Sequence, residues 1–144
     1  MNIRVRPARA DDLASVTGHL TQAGLPLAGV GDHFPNYLVA ESGDGVLGAI
    51  GMEIYGSEAL LRSAVVAPDW RGKGIGTLLF DALIFRAASL GITRLVLLTT
   101  SAEAYFSQRG FRPIPIESVE GPLRTSSEFR GACPSTAVCM ERRL

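Results

Sequence analysis

Six consecutive residues, Arg71-Gly72-Lys73-Gly74-Ile75-Gly76, limit the folds open to this chain more than any other segment. They lie between an apolar stretch ending at Val66 and a helical stretch beginning at Ile75. Glycine at alternate positions lets the backbone aim several N–H groups at one point, with no side chain in the way of a bulky anion. The helix that follows adds unpaired N–H groups and the positive end of its dipole. Arg71 and Lys73 add mobile positive charge. The combination suits a pyrophosphate better than a plain connecting loop. Spacing removes two familiar phosphate motifs. The dinucleotide fingerprint needs a third glycine where Thr77 stands and an acid further on, and Gly91 to Leu98 holds none. A Walker loop needs four residues between its glycines and then Lys-Ser/Thr, which this segment lacks.

The rest of the chain supplies the frame. Ile3 to Arg6 alternates and is closed by Pro7, predicting a first strand. Asp11 and Asp12 open a helix with Leu13, Val16 and Leu20 on one face. Gly24 to Asn36 reads as a loop with room for one helical turn. Tyr37 to Ala40, Val46 to Tyr55 and Ala59 to Val66 read as antiparallel strands joined by turns at Ser42-Gly43-Asp44-Gly45 and Gly56-Ser57. Ile75 to Leu90 predicts a mostly buried helix ended by Gly91, and Leu95 to Leu98 a central strand covered on both faces. Ser101 to Gln108 predicts a short helix capped by Thr100 or Ser101 and closed by Gly110. An irregular stretch with Pro113, Pro115 and Pro122 leads to a last strand at Ala137 to Arg142. This is an α+β domain with a mixed sheet.

Fourteen basic residues balance fourteen acidic ones, so no global field holds nucleic acid and any anion site is local. No apolar run approaches the roughly 20 residues that span a bilayer, and the start carries no charged-then-apolar leader pattern. Cys133 and Cys139 are neither a disulfide framework nor a C-x-x-C motif; they read as structural thiols, with no metal site, in a reducing, cytoplasmic setting.

Val65-Val66-Ala67-Pro68-Asp69-Trp70-Arg71-Gly72-Lys73-Gly74-Ile75-Gly76 resembles the acetyl-CoA signature of the GNAT superfamily, whose core is Arg/Gln-x-x-Gly-x-Gly/Ala. The element order resembles that fold over almost the whole chain. The resemblance implies a single acetyltransferase domain over residues 1–144, with a mainly antiparallel central sheet flanked by helices. It implies acetyl-CoA as co-substrate. The backbone of Val65, Val66 and Ala67 then pairs with the pantetheine arm, and Arg71, Gly72, Lys73, Gly74, Ile75, Gly76 and Thr77 wrap the pyrophosphate. A bulge near Ser63 to Val66 is implied too, with the Val66 N–H as the donor to the thioester carbonyl.

Acetylating an amine requires removing a proton from an ammonium of pKa about 10, stabilising an oxyanion and releasing a thiolate whose parent thiol has pKa about 8.5. Family members often carry a Tyr for the last task, in a pattern like Asn-x-x-Ala-x-x-Leu-Tyr-x-x-x-Gly-Phe. Aligned on Gly110-Phe111, that position holds Phe106, and Tyr105 comes one residue early, about 100° around a helix. Tyr105 is therefore either the acid or a wall, with water or the helix start at Thr100 and Ser101 as the alternative; Thr100 and Phe106 are expected as cofactor contacts. For the base, Glu53 is the first choice over Glu41 and Glu58, each of which also reads as a solvated strand charge. His19 reads as a surface residue and His33 as a substrate contact. Arg62, with Ser63, reads either as a clamp for an acceptor carboxylate or as an outward strand charge.

The segment Arg124 to Met140 is dense in hydroxyls and alternating charge. With Leu98-Thr99-Thr100 and Phe111-Arg112-Pro113-Ile114-Pro115 it resembles the GNAT subgroup associated with arsenic-resistance operons, and more distantly N-acetylglutamate synthase-type domains. That implies a small amino-acid-like amine as acceptor, with Arg124, Ser126, Ser127 and Glu128 as contacts. A CoA-binding module without catalysis is the competing reading, and transfer to a hydroxyl or of a longer acyl chain stays open. Many proteins of this fold form a homodimer, and the resemblance allows one here.

Overall fold

The computed structural model describes residues 2–144. In chain order the elements are β1 (Arg4–Pro7), α1 (Leu13–Gln22), α2 (Val30–His33), β2 (Tyr37–Ser42), β3 (Gly45–Tyr55), β4 (Glu58–Val66), α3 (Ile75–Ser89), β5 (Arg94–Thr99), α4 (Glu103–Ser107), β6 (Arg112–Pro113) and β7 (Val138–Arg143). The strands form one sheet in the order β1-β2-β3-β4-β5-β7-β6. Every neighbouring pair is antiparallel except β4 with β5. The α+β class and the mixed, mainly antiparallel sheet expected from the sequence are what the chain adopts.

Period-two alternation divides the core between the two faces of the sheet. Leu38, Ala40, Met52, Ala59, Leu61, Leu95 and Leu97 pack against Ile75, Leu79, Phe80 and Leu83 of α3. On the opposite face, Tyr37, Val39, Ala49 and Val65 pack against Val16 and Leu20 of α1. Further along that face, Leu60, Val96 and Cys139 are covered by Val119 and Leu123 of the irregular tail. Truncating a side chain such as Leu83, which is fully buried, costs about 2–5 kcal/mol.

Several local expectations shift. The Gly24 to Asn36 segment contains α2 and a 3-10 turn at Phe34–Asn36. The N-cap of α4 is Ala102 rather than Thr100 or Ser101, because the Thr99 hydroxyl at the end of β5 accepts the Ala102 N–H at 3.0 Å. The tail folds into short helical turns at Ile116–Ser118, Pro122–Thr125 and Glu128–Ala132.

One irregularity opens the site. Between the pairs Ala49↔Val65 and Gly51↔Arg62, two steps on β3 face three on β4, a bulge. Ser63 takes a left-handed φ of 60° there, a conformation costing roughly 1–2 kcal/mol outside glycine. The Tyr37 hydroxyl, 2.7 Å from Ser63 Oγ, holds it in place. The Tyr37 ring reaches β4 by lying over Gly51, where a Cβ would come within 2.2 Å of the ring. Past the bulge β4 bends away. Its pairing with β5 covers only Glu58 to Leu60, while β5 stays paired with β7 up to Thr99. The sheet is split at its centre.

Candidate active site

The glycine loop sits at the α3 side of this split. Gly72 and Gly74 have φ of 74° and 83°, and Gly74 is the N-cap of α3. A Cβ on either would meet nothing within 4 Å, so the space in front of the loop is open to a ligand. The cavity beside it has a volume of about 480 Å³ and is lined by Val65, Val66, Arg71, Gly76, Tyr105 and Phe106 among others. Ile75 turns its side chain into the core, leaving only its N–H for an anion. Lys73 lies 5.8 Å from the Trp70 ring centroid. A cation not anticipated from the sequence joins them. Arg109 stacks 3.6 Å from the Tyr105 ring centroid and donates to Thr77 Oγ1 at 2.9 Å.

Ladder alternation decides which backbone groups of β4 face the split. Ala67 N–H donates to Leu47 O at 2.7 Å, so Ala49 and Val65 form the next bonded pair and the Gly48–Val66 pair between them is unbonded. Val66 therefore points its N–H and C=O away from β3, towards the gap. Its C=O accepts Arg71 Nε at 3.1 Å. Ala67 is a correction: its N–H serves Leu47 and is not free for a pantetheine arm, and its C=O already accepts from Trp70. Val65, paired towards β3, offers its side chain to the cavity.

A second cavity of about 190 Å³ opens on the other side of the split. It shares Leu25, Ala64, Ser101, Ala102 and Phe106 with the first, so the two meet where β4 and β5 part. Arg62, Ser63, Glu128, Cys133 and Thr100 line it. Thr100 thus falls on this side and not beside the glycine loop.

Behind this cavity lies a buried ion cluster. Arg62, Glu53 and Glu128 are 3%, 1% and 6% exposed, which excludes the solvated-strand reading for both Arg62 and Glu53. Arg62 Nη1 donates to Glu53 Oε2 and to Ala28 O, each at 2.7 Å, and Nη2 donates to Pro26 O at 3.2 Å. Its Nε lies 3.2 Å from both Ser63 Oγ and Glu128 Oε2. Burial pushes the Glu53 carboxyl up, but hydrogen bonds from Tyr55, Arg62 and Ser126 outweigh it and leave the group below the usual range. Glu128 goes the other way: burial raises it, and Arg62 offsets only part. The Cys133 thiol, 3.5 Å from Glu128 Oε1, is pushed up to about 12 by burial and by that carboxylate. It stays a protonated donor.

Of the other acid–base and acceptor candidates, few reach the cavities. Glu53 lines neither; its oxygens are held by Tyr55 and Arg62, with His33 Nε2 3.6 Å away. Glu41 pairs with Arg4 and Arg6, and Glu58 with Arg94. Arg124 is spent on the carbonyls of Ile116 and Val119, and Ser127 Oγ donates to Ala28 O. Ser126 Oγ accepts the Glu128 N–H. These three brace the tail; Glu128 alone of the four faces the cavity. The Tyr105 hydroxyl lies 3.3 Å from where a Cβ on Gly76 would stand, against the glycine loop, while Phe106 occupies the junction. His19 Nε2 contacts Val46 O at 2.8 Å. Among the described residues no group of three or more His, Cys, Asp or Glu is arranged to hold a metal, and no helix is long and apolar enough to cross a membrane.

The site is thus a split sheet with a glycine-rich anion cradle on one side and a small cavity backed by buried charge on the other. The chain belongs to the acetyltransferase (GNAT) domain family, whose model matches residues 33–113. It is 33% identical over 97 residues to an amino-acid acetyltransferase of Mannheimia succiniciproducens and 32% over 96 residues to one of Pasteurella multocida. The matches cover 66% and 65% of this chain but 22% of each of those proteins, so the matched segment spans less than a quarter of the length of these relatives. Among solved structures, N-acetylglutamate synthase from Neisseria gonorrhoeae, complexed with coenzyme A and N-acetyl-glutamate, superposes with a TM-score of 0.84 at 20% identity, covering 100% of this chain and 35% of that one. A GNAT acetyltransferase from Staphylococcus aureus gives 0.79 at 16% identity over 99% of both chains. These likenesses fix the fold.

Proposed function

We propose that this protein is an acetyl-CoA-dependent N-acetyltransferase whose acceptor is a small, amino-acid-like amine. The observation that carries the reading is the meeting of the two cavities at Ala64, Ser101, Ala102 and Phe106, where the sheet is split. Acetyl-CoA supplies an activated acyl group as its thioester. Gly72, Gly74 and Gly76, with Arg71, Lys73 and the nearby Arg109, hold its pyrophosphate. The Val66 N–H, free of the β3 ladder, is the donor for the oxyanion that develops during acyl transfer. Ser101 presents the hydroxyl at the junction and serves the departing sulfur, because Phe106 has none and Tyr105 lies back at the loop. The amine enters from the Glu128 side. Relatives named amino-acid acetyltransferases support the acceptor class, and the tail's resemblance to the arsenic-resistance-associated subgroup extends it to organoarsenical amino-acid analogues.

Mass spectrometry of products formed from acetyl-CoA and a mixture of amino acids and such analogues tests the reading. Acetylated amine is expected, and tight CoA binding without any acetylated product contradicts it. One observation favours the competing reading of a non-catalytic CoA-binding module: the residues shared by the two cavities where they meet, Leu25, Ala64, Ser101, Ala102 and Phe106, include no titratable side chain. The same experiment separates the two.

A further inference from the structure

Transfer to an amine needs a proton acceptor within the acceptor cavity, and the strand carboxylates do not provide one. Glu41 is paired with Arg4 and Glu58 with Arg94, neither lining the cavity, and Glu53 is enclosed behind Arg62. One carboxylate does line the cavity. Glu128 is held there by its backbone N–H on Ser126 Oγ, by Arg62 Nε 3.2 Å from Oε2 and by the Cys133 thiol 3.5 Å from Oε1. We infer that the Glu128 carboxylate takes the proton from the acceptor's ammonium, a role that rests on the transferase reading above.

The cluster suits that task. Arg62 is shared between two carboxylates, Glu53 and Glu128, so this set of groups carries one negative charge more than positive and favours an ammonium over a second anion. Glu53 takes the shorter contact with Arg62, 2.7 Å against 3.2 Å. Glu128 is therefore the less satisfied anion, and burial raises its proton affinity towards the range where a base works near neutral pH. The groups around it are Arg62 from β4, Glu53 from β3, Cys133 from the tail, and Tyr37 from β2, whose hydroxyl is pushed up to about 12 by burial.

The proton balance closes. The ammonium gives one proton to Glu128, which releases it to water at the cavity mouth. The freed lone pair forms the N–C bond as the C–S bond breaks. A second nitrogen proton passes to the leaving sulfur as free thiol, and the third stays on the amide.

Thiol release from acetyl-CoA, measured at neutral pH for wild type and Glu128→Gln, tests this with two acceptors. One is an equimolar mixture of organoarsenical amino-acid analogues and the amino acids other than cysteine, whose own thiol would be read; the other is methoxyamine, whose nitrogen is largely unprotonated at neutral pH. The variant is expected to lose about 10²–10⁴-fold with amino acids, to lose less than about tenfold with methoxyamine, and to bind acetyl-CoA as wild type does. Glu128→Asp, which keeps a carboxylate, is expected to recover part of the amino-acid rate. A variant within about threefold of wild type on amino acids, or one that loses both acceptors equally while still binding acetyl-CoA, overturns the assignment. A wild type silent with both acceptors overturns the transferase reading itself, together with this role.

Discussion

The two sides of the split sheet recognise their ligands by opposite means. On the α3 side, recognition rests on backbone: glycines at alternate positions, a helix start, and the exposed cations Arg71 and Lys73 beside it. On the tail side it rests on buried charge drawn from four distant segments, with Arg62 at the centre of Glu53, Glu128 and the carbonyls of Pro26 and Ala28. A backbone cradle costs the apo fold little and gives binding energy only when filled. A buried ion cluster is part of the fold whether or not an acceptor is present, because a desolvated charge without its partner is costly. Substitutions on the two sides should therefore register in different measurements.

The largest contrast is expected from Arg62→Met, which leaves Glu53 and Glu128 buried without their shared cation. Urea unfolding should show a loss of about 3–5 kcal/mol; a loss below about 0.5 kcal/mol would mean the cluster is not structural. Arg71→Ala should do the reverse. Stability should change by less than about 0.5 kcal/mol, while calorimetry should show CoA affinity weakened by about 1.5–3 kcal/mol for a lost charged hydrogen bond, tenfold or more. Equal effects on folding and binding would erase the distinction.

A subtler separation comes from pH. Glu128's folded pKa is raised above its unfolded value of about 4.3, so the stability it contributes is present below that value and is lost as pH rises through the folded pKa. Glu53, depressed in the fold, contributes stability above the unfolded value that is lost as pH falls. Melting curves of Glu128→Gln should accordingly fall off less than wild type as pH rises above about 5; a steeper decline would contradict the assignment of Glu128 as the strained anion. The smallest effect is expected from Tyr105→Phe. Its hydroxyl lies by the loop rather than the junction, and thiol release should change by no more than about threefold. A loss approaching 10²-fold would make it the acid after all.

The same difference governs what could be read from the sequence. The cradle is a contiguous run whose spacing carries its own geometry, so Arg71 to Gly76 and the mixed sheet were visible in residue order, while the bulge was implied only by the family resemblance. The acceptor side has no such run. Arg124, Ser126, Ser127 and Glu128 look alike as a polar segment, and only the short helical turns decide that Glu128 faces the cavity while the others brace backbone. Arg62 and Glu53 drew attention as charges on apolar strands, but their partnership depends on strand pairing and on a loop more than thirty residues away. Arg109, Leu25 and Cys133 carried no motif and reach the site through tertiary packing alone. Ala67 misled because ladder alternation, not proximity to the motif, decides which N–H is free.

The central claim is that the two cavities are halves of one transfer site joined where β4 and β5 part. A crystal structure of the protein with CoA tests it most directly. The pyrophosphate is expected on the amides of the Arg71 to Gly76 loop, with the thiol in the split between Val66 and Ala102, at the entrance to the cavity lined by Glu128. A thiol directed away from that split, with the acceptor cavity closed off from it, would contradict the account.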